Sequence, residues 1–412
     1  MKLIFLFGFL LLIDIYFYCG SVSVANKLLG NQYLYKIFYL IISVFFYLGI
    51  IYMIFIYNKQ TSSTKFDNSI VFSSLFFIVF ISKFIGIFPL IIDDFIRLFR
   101  YLFSLFFSEN YDNNGIGRLD FLKKLSLIFA ASLSTSLFYG ITFGRYNFKR
   151  NFQSIFIRNW PKSLEGFKII HISDLHLGSF ENIDKLEEVV SIINSENADL
   201  VVFTGDLVNN YYYEAEAYVD TLKKIKSKNG KFSVLGNHDY CDYVRLKRDS
   251  QEWKNNFKNL LNLQKRAGFD LLLNESRLIT IGDDNFNLVG VENWGKGNFN
   301  KDGDIDKAMK DVNVKLPTFL LSHDPSHWSE IVINSGYDIS LQMSGHTHGM
   351  QFGIEIPGFK WSPVKYRYKE WAGLYKKGLY QLYVNRGLGT LGYAGRVGIL
   401  PDISIINIKR DI

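Results

Sequence analysis

Residues 339–349 read Ile-Ser-Leu-Gln-Met-Ser-Gly-His-Thr-His-Gly, an apolar strand-like run that stops at a glycine and delivers two histidines one residue apart. In extended backbone, residues i and i+2 point the same way, so His346 and His348 can reach a single site. Four earlier stretches follow the same plan. Residues 168–172 lead into Asp174-Leu175-His176, residues 200–204 into Gly205-Asp206, residues 232–235 into Gly236-Asn237-His238-Asp239, and residues 318–322 into His323-Asp324. Loops held at strand ends are where distant segments can converge.

Taken singly, these motifs have ordinary readings. Gly-Asp after a strand is a common turn, and Asn and Asp are turn residues. The coincidence is what carries weight, because five of the chain's seven histidines occupy these strand ends. Imidazole and carboxylate together suit Zn, Mn or Fe, and a carboxylate with two oxygens can bridge two cations. The glycines before Asp206, Asn237 and His346 allow sharp turns and close approach that a side chain would obstruct.

Around these motifs, from about residue 160 onward, short β-like runs alternate with polar helical patterns. Further strands are expected at residues 271–273, 287–291, 381–385 and 403–408, and helices at 183–195, 214–228, 249–266 and 325–335. Strand and helix alternating early, then strands more closely spaced, suggest an α/β domain with two sheet layers flanked by helices. A polar connection is expected over residues 145–166.

The amino-terminal third is different material. Residues 3–18, 37–57, 69–92 and 125–144 are apolar runs interrupted by little more than Asp14 and Lys83, and about 20 helical residues span a bilayer core. This gives a transmembrane helical region of about four spans over residues 1–150 and a second part over 151–412. The first run also has features of a signal peptide, but further spans follow it and Asp14 fits a signal core poorly, so it reads as an uncleaved span. Residues 94–107, with Arg97 and Arg100, suit an amphipathic helix along the interface. Lys83 is expected to snorkel or face a neighbouring helix.

Of 412 residues, the first 150 hold 14 Lys and Arg against 7 Asp and Glu, and the remainder holds 32 of each. The net charge of +7 therefore belongs to the membrane region and gives no indication of nucleic acid as a partner; the bilayer is the partner it implies. Cys19 and Cys241 are too few for a disulfide scaffold or a cysteine-built zinc module. Lys27, Lys36, Arg97, Arg100, Arg118, Lys123 and Lys124 fall on one side of the four spans, and Lys2, Lys59 and Lys65 on the other. Positive-inside reasoning then puts the carboxy-terminal domain outside the cytoplasm, although Arg145, Lys149 and Arg150 pull the other way.

The ordered set Asp174-x-His176, Gly205-Asp206, Gly236-Asn237-His238-Asp239, His323 and Gly345-His346-x-His348 resembles the calcineurin-like metallophosphoesterase superfamily over roughly residues 165–410. The resemblance implies a four-layer αββα sandwich with two divalent metal ions, Mn, Fe or Zn. It assigns Asp174, His176, Asp206 and His348 to one metal and Asp206, Asn237, His323 and His346 to the other, with Asp206 as the bridge. His238 matches the non-ligand histidine that meets the substrate phosphate or protonates the leaving group, and Asp239 would orient it. The ending with Arg386-Gly387-Leu388-Gly389-Thr390 resembles a branch of bacterial membrane-associated or exported phosphoesterases. Residues 117–124 resemble a decayed twin-arginine signal with Leu119 in place of the second arginine, and Met350 replaces a common glycine.

The expected function is metal-dependent hydrolysis of a phosphodiester or pyrophosphate, such as a lipid or nucleotide-lipid headgroup. A catalytically silent membrane sensor that binds a phosphorylated ligand is the alternative. Trp294, Phe299, Trp361, Tyr366, Tyr368 and Trp371 are available to form an apolar rim for such a substrate.

Overall fold

The computed structural model describes residues 2–31, 33–57, 68–107, 116–244 and 246–411. Lys59, Lys65 and the side chains of Lys2 and Arg118 lie outside what is described. The chain divides into two compact units, with the break between Gly140 and Ile141.

The first unit is built from four helices, α1 (Lys2–Leu29), α2 (Leu34–Tyr57), α3 (Asn68–Phe107) and α4 (Ile116–Thr142). Each is long and apolar enough to cross a membrane. They share a small cluster of Ile13, Phe17, Tyr39, Ile87 and Ala130, drawn from all four. Outward, large apolar side chains such as Phe5, Ile41, Phe45 and Phe99 are exposed, as hydrocarbon surroundings require. The segment expected to lie separately along the interface is instead the second half of α3. Pro89 stands inside that helix without ending it, and Arg97 pairs with Asp93 one turn back at 2.7 Å.

Lys83 faces neighbouring helices. It pairs with Asp14 of α1 and donates to Ser43 Oγ of α2 at 3.1 Å, while Tyr39 donates to Asp14 Oδ1 at 2.7 Å. The lysine also lies 4.2 Å from the Tyr39 ring centre, within cation–π range.

The second unit holds two six-stranded sheets. One runs β1 (Lys149–Ile157), β14 (Asp402–Arg410), β2 (Phe167–Ile172), β3 (Leu200–Phe203), β4 (Lys231–Ser233) and β5 (Asp270–Leu271). The other runs β12 (Gly373–Lys377), β13 (Tyr380–Val384), β9 (Leu341–Ser344), β8 (Thr318–Leu321), β7 (Asp284–Gly290) and β6 (Glu275–Ile281). A hairpin of β10 (Ile354–Ile356) and β11 (Phe359–Trp361) stands apart.

The period of two explains the layers. Leu200 and Val202 pack with Phe319, Leu321 and Met343 between the sheets, while Val201 and Phe203 pack outward against α5 (Ile183–Ser195), where Leu186, Val190 and Ile193 wait. Leu320 and Val289 face out on the opposite sheet, against Ile305, Met309 and Trp328. Strands buried on both faces read as continuous apolar runs, which is how they stand in the sequence. This is the αββα sandwich.

Three expectations change. Residues 149–157, expected as connection, form β1, because β14 from the far end of the chain offers it a parallel ladder. The helix expected over 214–228 is two short ones, α6 (Tyr213–Glu216) and α7 (Val219–Lys223). Strand β6 follows β5 directly and was not expected; it pairs antiparallel to β7 at the sheet edge.

Candidate metal centre

Strands β2, β3 and β4 are parallel, as are β7, β8 and β9, and the five motifs all leave from carboxyl ends of these strands. Open α/β sheets place ligand sites at such ends. Asp174, His176, Asp206, His346 and His348 all hold left-handed backbone, with φ of 51°, 44°, 59°, 70° and 50°. Non-glycine residues rarely adopt it, and clusters of such strain mark functional sites. Tight approach accompanies it: a Cβ on Gly236 would strike the Asp206 carboxylate, and one on Gly345 would strike Ser173 Oγ and Asp174 Oδ2.

Asp174, His176 and His348 form one group whose ligand atoms converge, and Asp206, His323 and His346 form another. His348 Nε2 lies 3.2 Å from Asp174 Oδ1 and 3.0 Å from His176 Nε2. In the second group, Asn237 Oδ1 lies 3.0 Å from His323 Nε2 and 2.8 Å from His346 Nδ1. Asp206 Oδ2 reaches His323 Nε2 at 3.2 Å and His176 Nε2 at 3.5 Å, so one carboxylate touches both groups.

Hydrogen bonds fix which nitrogen each ring presents. A carbonyl oxygen can only accept, so His323 Nδ1, 2.7 Å from the Thr204 carbonyl, carries a proton and Nε2 is the nitrogen turned toward the group. His176 Nδ1 meets Asn209 Oδ1 at 3.0 Å in the same sense. His346 is turned the other way: Nε2 meets Tyr368 OH at 2.8 Å and Asp324 Oδ2 at 3.4 Å, and Nδ1 faces the group. Buried imidazole lone pairs converging with carboxylates are the donor set of a cation site, and the residues fit two divalent ions.

Burial pulls His323 down, but the Asp206 carboxylate outweighs it and raises the ring to about 10. Burial alone would raise Asp206; His323 and His238 hold it well below the usual carboxylate range. His348 and His238 are each pulled by burial down to about 4.

His238 does not pair with Asp239. Its Nδ1 donates to the Asn209 carbonyl at 2.7 Å, and the Asp239 carboxylate instead accepts from the backbone N–H groups of Gly236, Asp206 and Leu207, each at 2.9 Å. Asp239 thereby binds the third motif to the second. The His238 backbone N–H in turn donates to Asp206 Oδ1 at 2.8 Å.

Sequence reasoning missed Asn209 and Arg396, and it named Asp324 only as the neighbour of His323 and Tyr368 only as a rim aromatic. Arg396 is wholly buried; its Nη2 lies 3.3 Å from His348 Nδ1 and 2.6 Å from the Gly389 carbonyl. Asp324 was legible as the neighbour of His323, but nothing nearby in the chain announces Arg396. The expected aromatic rim divides: Phe299 and Tyr368 pack on His346 with ring centres at 5.1 and 5.3 Å, Trp294 packs on His327, and Trp371 is buried.

The model of the calcineurin-like phosphoesterase family matches residues 167–350, and that of a probable calcineurin-like phosphoesterase transmembrane domain matches residues 1–145. The chain is 31% identical over 289 residues to UDP-2,3-diacylglucosamine pyrophosphatase LpxG of Chlamydia trachomatis, covering 56% of this chain and 82% of that protein. It is 29% identical over 410 residues to the uncharacterized metallophosphoesterase Cj0846 of Campylobacter jejuni, covering 98% of each. It is 26% identical over 243 residues to phosphodiesterase YaeI of Escherichia coli, covering 59% of this chain and 82% of that one. The chain belongs to the calcineurin-like metallophosphoesterase family. It is a metal-dependent phosphohydrolase carried on four membrane helices.

Proposed function

We propose that the chain hydrolyses a membrane-associated phosphodiester or pyrophosphate, such as a lipid or nucleotide-lipid headgroup. In this reading Asp174, His176, Asp206 and His348 hold one cation and Asp206, Asn237, His323 and His346 the other. The observation that carries it is Asp206, whose single carboxylate lies within 3.5 Å of a histidine from each group. The class of substrate is supported by the membrane helices and by similarity to relatives named pyrophosphatase and phosphodiesterase.

When bound, the cations supply Lewis-acid polarisation of the phosphoryl oxygens and lower the pKa of water toward neutrality. The protein's own side chains do the rest. Thr204 and Asn209 hold the outer nitrogens of His323 and His176, so their inner nitrogens are the ones turned toward the cations. The Asn209 carbonyl holds the Nδ1 proton of His238, which leaves Nε2 for the substrate. Burial keeps His238 neutral in the free protein; the negative charge of an arriving phosphoryl group favours the protonated ring, which then donates from Nε2 to the departing alkoxide. The same reading sets the catalytic domain outside the cytoplasm, supported by the basic residues Lys27, Lys36, Arg97, Arg100, Lys123 and Lys124 on the opposite side of the spans.

The test is full-length protein in lipid nanodiscs, stripped by chelator and reloaded with Mn, Fe or Zn in turn. Hydrolysis of bis-p-nitrophenyl phosphate and of a lipid pyrophosphate should depend on metal, and His238→Ala should keep its metal while losing about 10²–10⁴ in turnover. Full activity without metal sinks the reading. Substrate retained with no product released would favour the silent sensor.

A further inference from the structure

The β10–β11 hairpin has its faces reversed from those of a hairpin built for water. Its register pairs Ile354 with Trp361, Glu355 with Lys360 and Ile356 with Phe359. Antiparallel partners share a face and alternate residues oppose, so Glu355 and Lys360 occupy one face and Ile354, Ile356, Phe359 and Trp361 the other. The side chains of the polar face are tied to the domain, though Glu355 and Lys360 are themselves exposed. Glu355 accepts from Arg386 Nε at 2.9 Å, and Lys360 donates to the Ala372 carbonyl and lies 4.7 Å from the Tyr375 ring centre. Three of the four apolar residues are turned out, with Ile354, Ile356 and Phe359 exposed by 50%, 58% and 53% and Trp361 half-buried. An amphipathic strand in water does the opposite.

Positive charge flanks this face. Residues 354–369 hold Lys360, Lys365, Arg367 and Lys369 against Glu355 alone, in a catalytic part whose charges balance overall. Lys365, Tyr366, Arg367 and Lys369 are exposed. The hairpin also adjoins the metal-ligand loop: Met350 follows His348 by two residues and is exposed, and Tyr368 holds His346.

We propose that the hairpin is an interfacial anchor, its Ile354, Ile356, Phe359 and Trp361 face seated among the headgroups and upper acyl chains of a bilayer containing anionic lipid. Lys365, Arg367 and Lys369 meet the lipid phosphates. Exposed apolar side chains beside basic ones are the signature of a surface that lies in a membrane interface. The chain leaves the last span close to the domain, because only six residues separate the end of α4 at Thr142 from the start of β1 at Lys149, and Gly144–Tyr146 among them form a short 3-10 turn. A stable protein partner would need about 800 Å² on this side, more than a two-stranded ribbon of three-residue strands presents. The proposal depends on no particular phosphoester and requires no turnover.

The test uses the full chain with Cys19→Ser and Cys241→Ser, a single Phe359→Cys carrying an environment-sensitive fluorophore, and metal-free vesicles of phosphatidylcholine with phosphatidylserine. A lipid-borne nitroxide near the headgroups should quench this probe at least about threefold more than one at Val314→Cys, an exposed position on another loop. The excess should shrink in phosphatidylcholine alone. Ile356→Cys must report the same depth, and it substitutes if Phe359→Cys misfolds. Equal quenching at 359 and 314 overturns the proposal. So does a blue shift at 359 that ignores the nitroxide and grows with protein-to-lipid ratio, which would seat a second copy on this face.

Discussion

Two regions of this molecule bury carboxylates, and they neutralise them differently. In the membrane helices Asp14 meets Lys83, with Ser43 and Tyr39 filling the remaining hydrogen bonds. In the catalytic domain Asp174 and Asp206 meet histidines, whose charge depends on a proton or whose lone pairs await a cation. A cluster that contains its own fixed counter-charge is complete as folded. One built from imidazoles is complete only with something added, so it is the one fitted for chemistry.

The largest expected effect breaks the second region. Asp206→Asn should abolish detectable hydrolysis and lower bound metal at both positions, read by elemental analysis beside kinetics; two tightly bound metals in this variant would remove Asp206 as the shared ligand. The first region should break in a different way. Lys83→Met leaves a buried carboxylate unpaired and should destabilise the detergent-solubilised protein by about 3–5 kcal/mol, while Asp14→Asn with Lys83→Met should recover most of it. Thermal unfolding of the four-member mutant cycle measures this, and catalysis per folded molecule should not change.

A pH series sharpens the contrast. His323 is raised from 6.5 to about 10 in the folded, metal-free protein, so it contributes stability that is fully present below about 6.5 and lost as pH rises through about 10. Chelated protein should therefore lose thermal stability across that window. Metal-loaded protein should not, because the cation takes the proton's place. A chelated protein whose midpoint stays level across the window would deny the His323–Asp206 pairing. The smallest effect concerns Met350, which holds φ 54° beside the metal loop. Left-handed backbone costs an L-residue about 1–2 kcal/mol, and glycine gives back about 0.5–1 kcal/mol in unfolded-state entropy. Met350→Gly should stabilise by up to about 1 kcal/mol in thermal denaturation.

The site was legible because each ligand follows a strand buried on both faces, and such strands announce themselves as apolar runs ending in glycine and acid. Asp174, His176 and His348 lie close together, as do Asp206, Asn237, His323 and His346. The partner of His238 was not legible, since a backbone carbonyl such as that of Asn209 leaves no trace in residue type. Arg396 was hidden for a related reason, because its buried charge is satisfied by the carbonyls of Gly389 and Arg386 rather than by an acid. Strand β1 has a weak pattern of its own and exists through pairing with the opposite end of the chain, which local periodicity does not register.

The Asp14–Lys83 pair also has a history in synthesis. Asp14 leaves the ribosome first, and its lysine follows 69 residues later. Until α3 arrives, α1 carries a lone carboxyl that hydrocarbon disfavours, so the first helix can settle only when the third joins it. Removal of α1 would strip Lys83 of its partner, so the pair couples the third helix to the first.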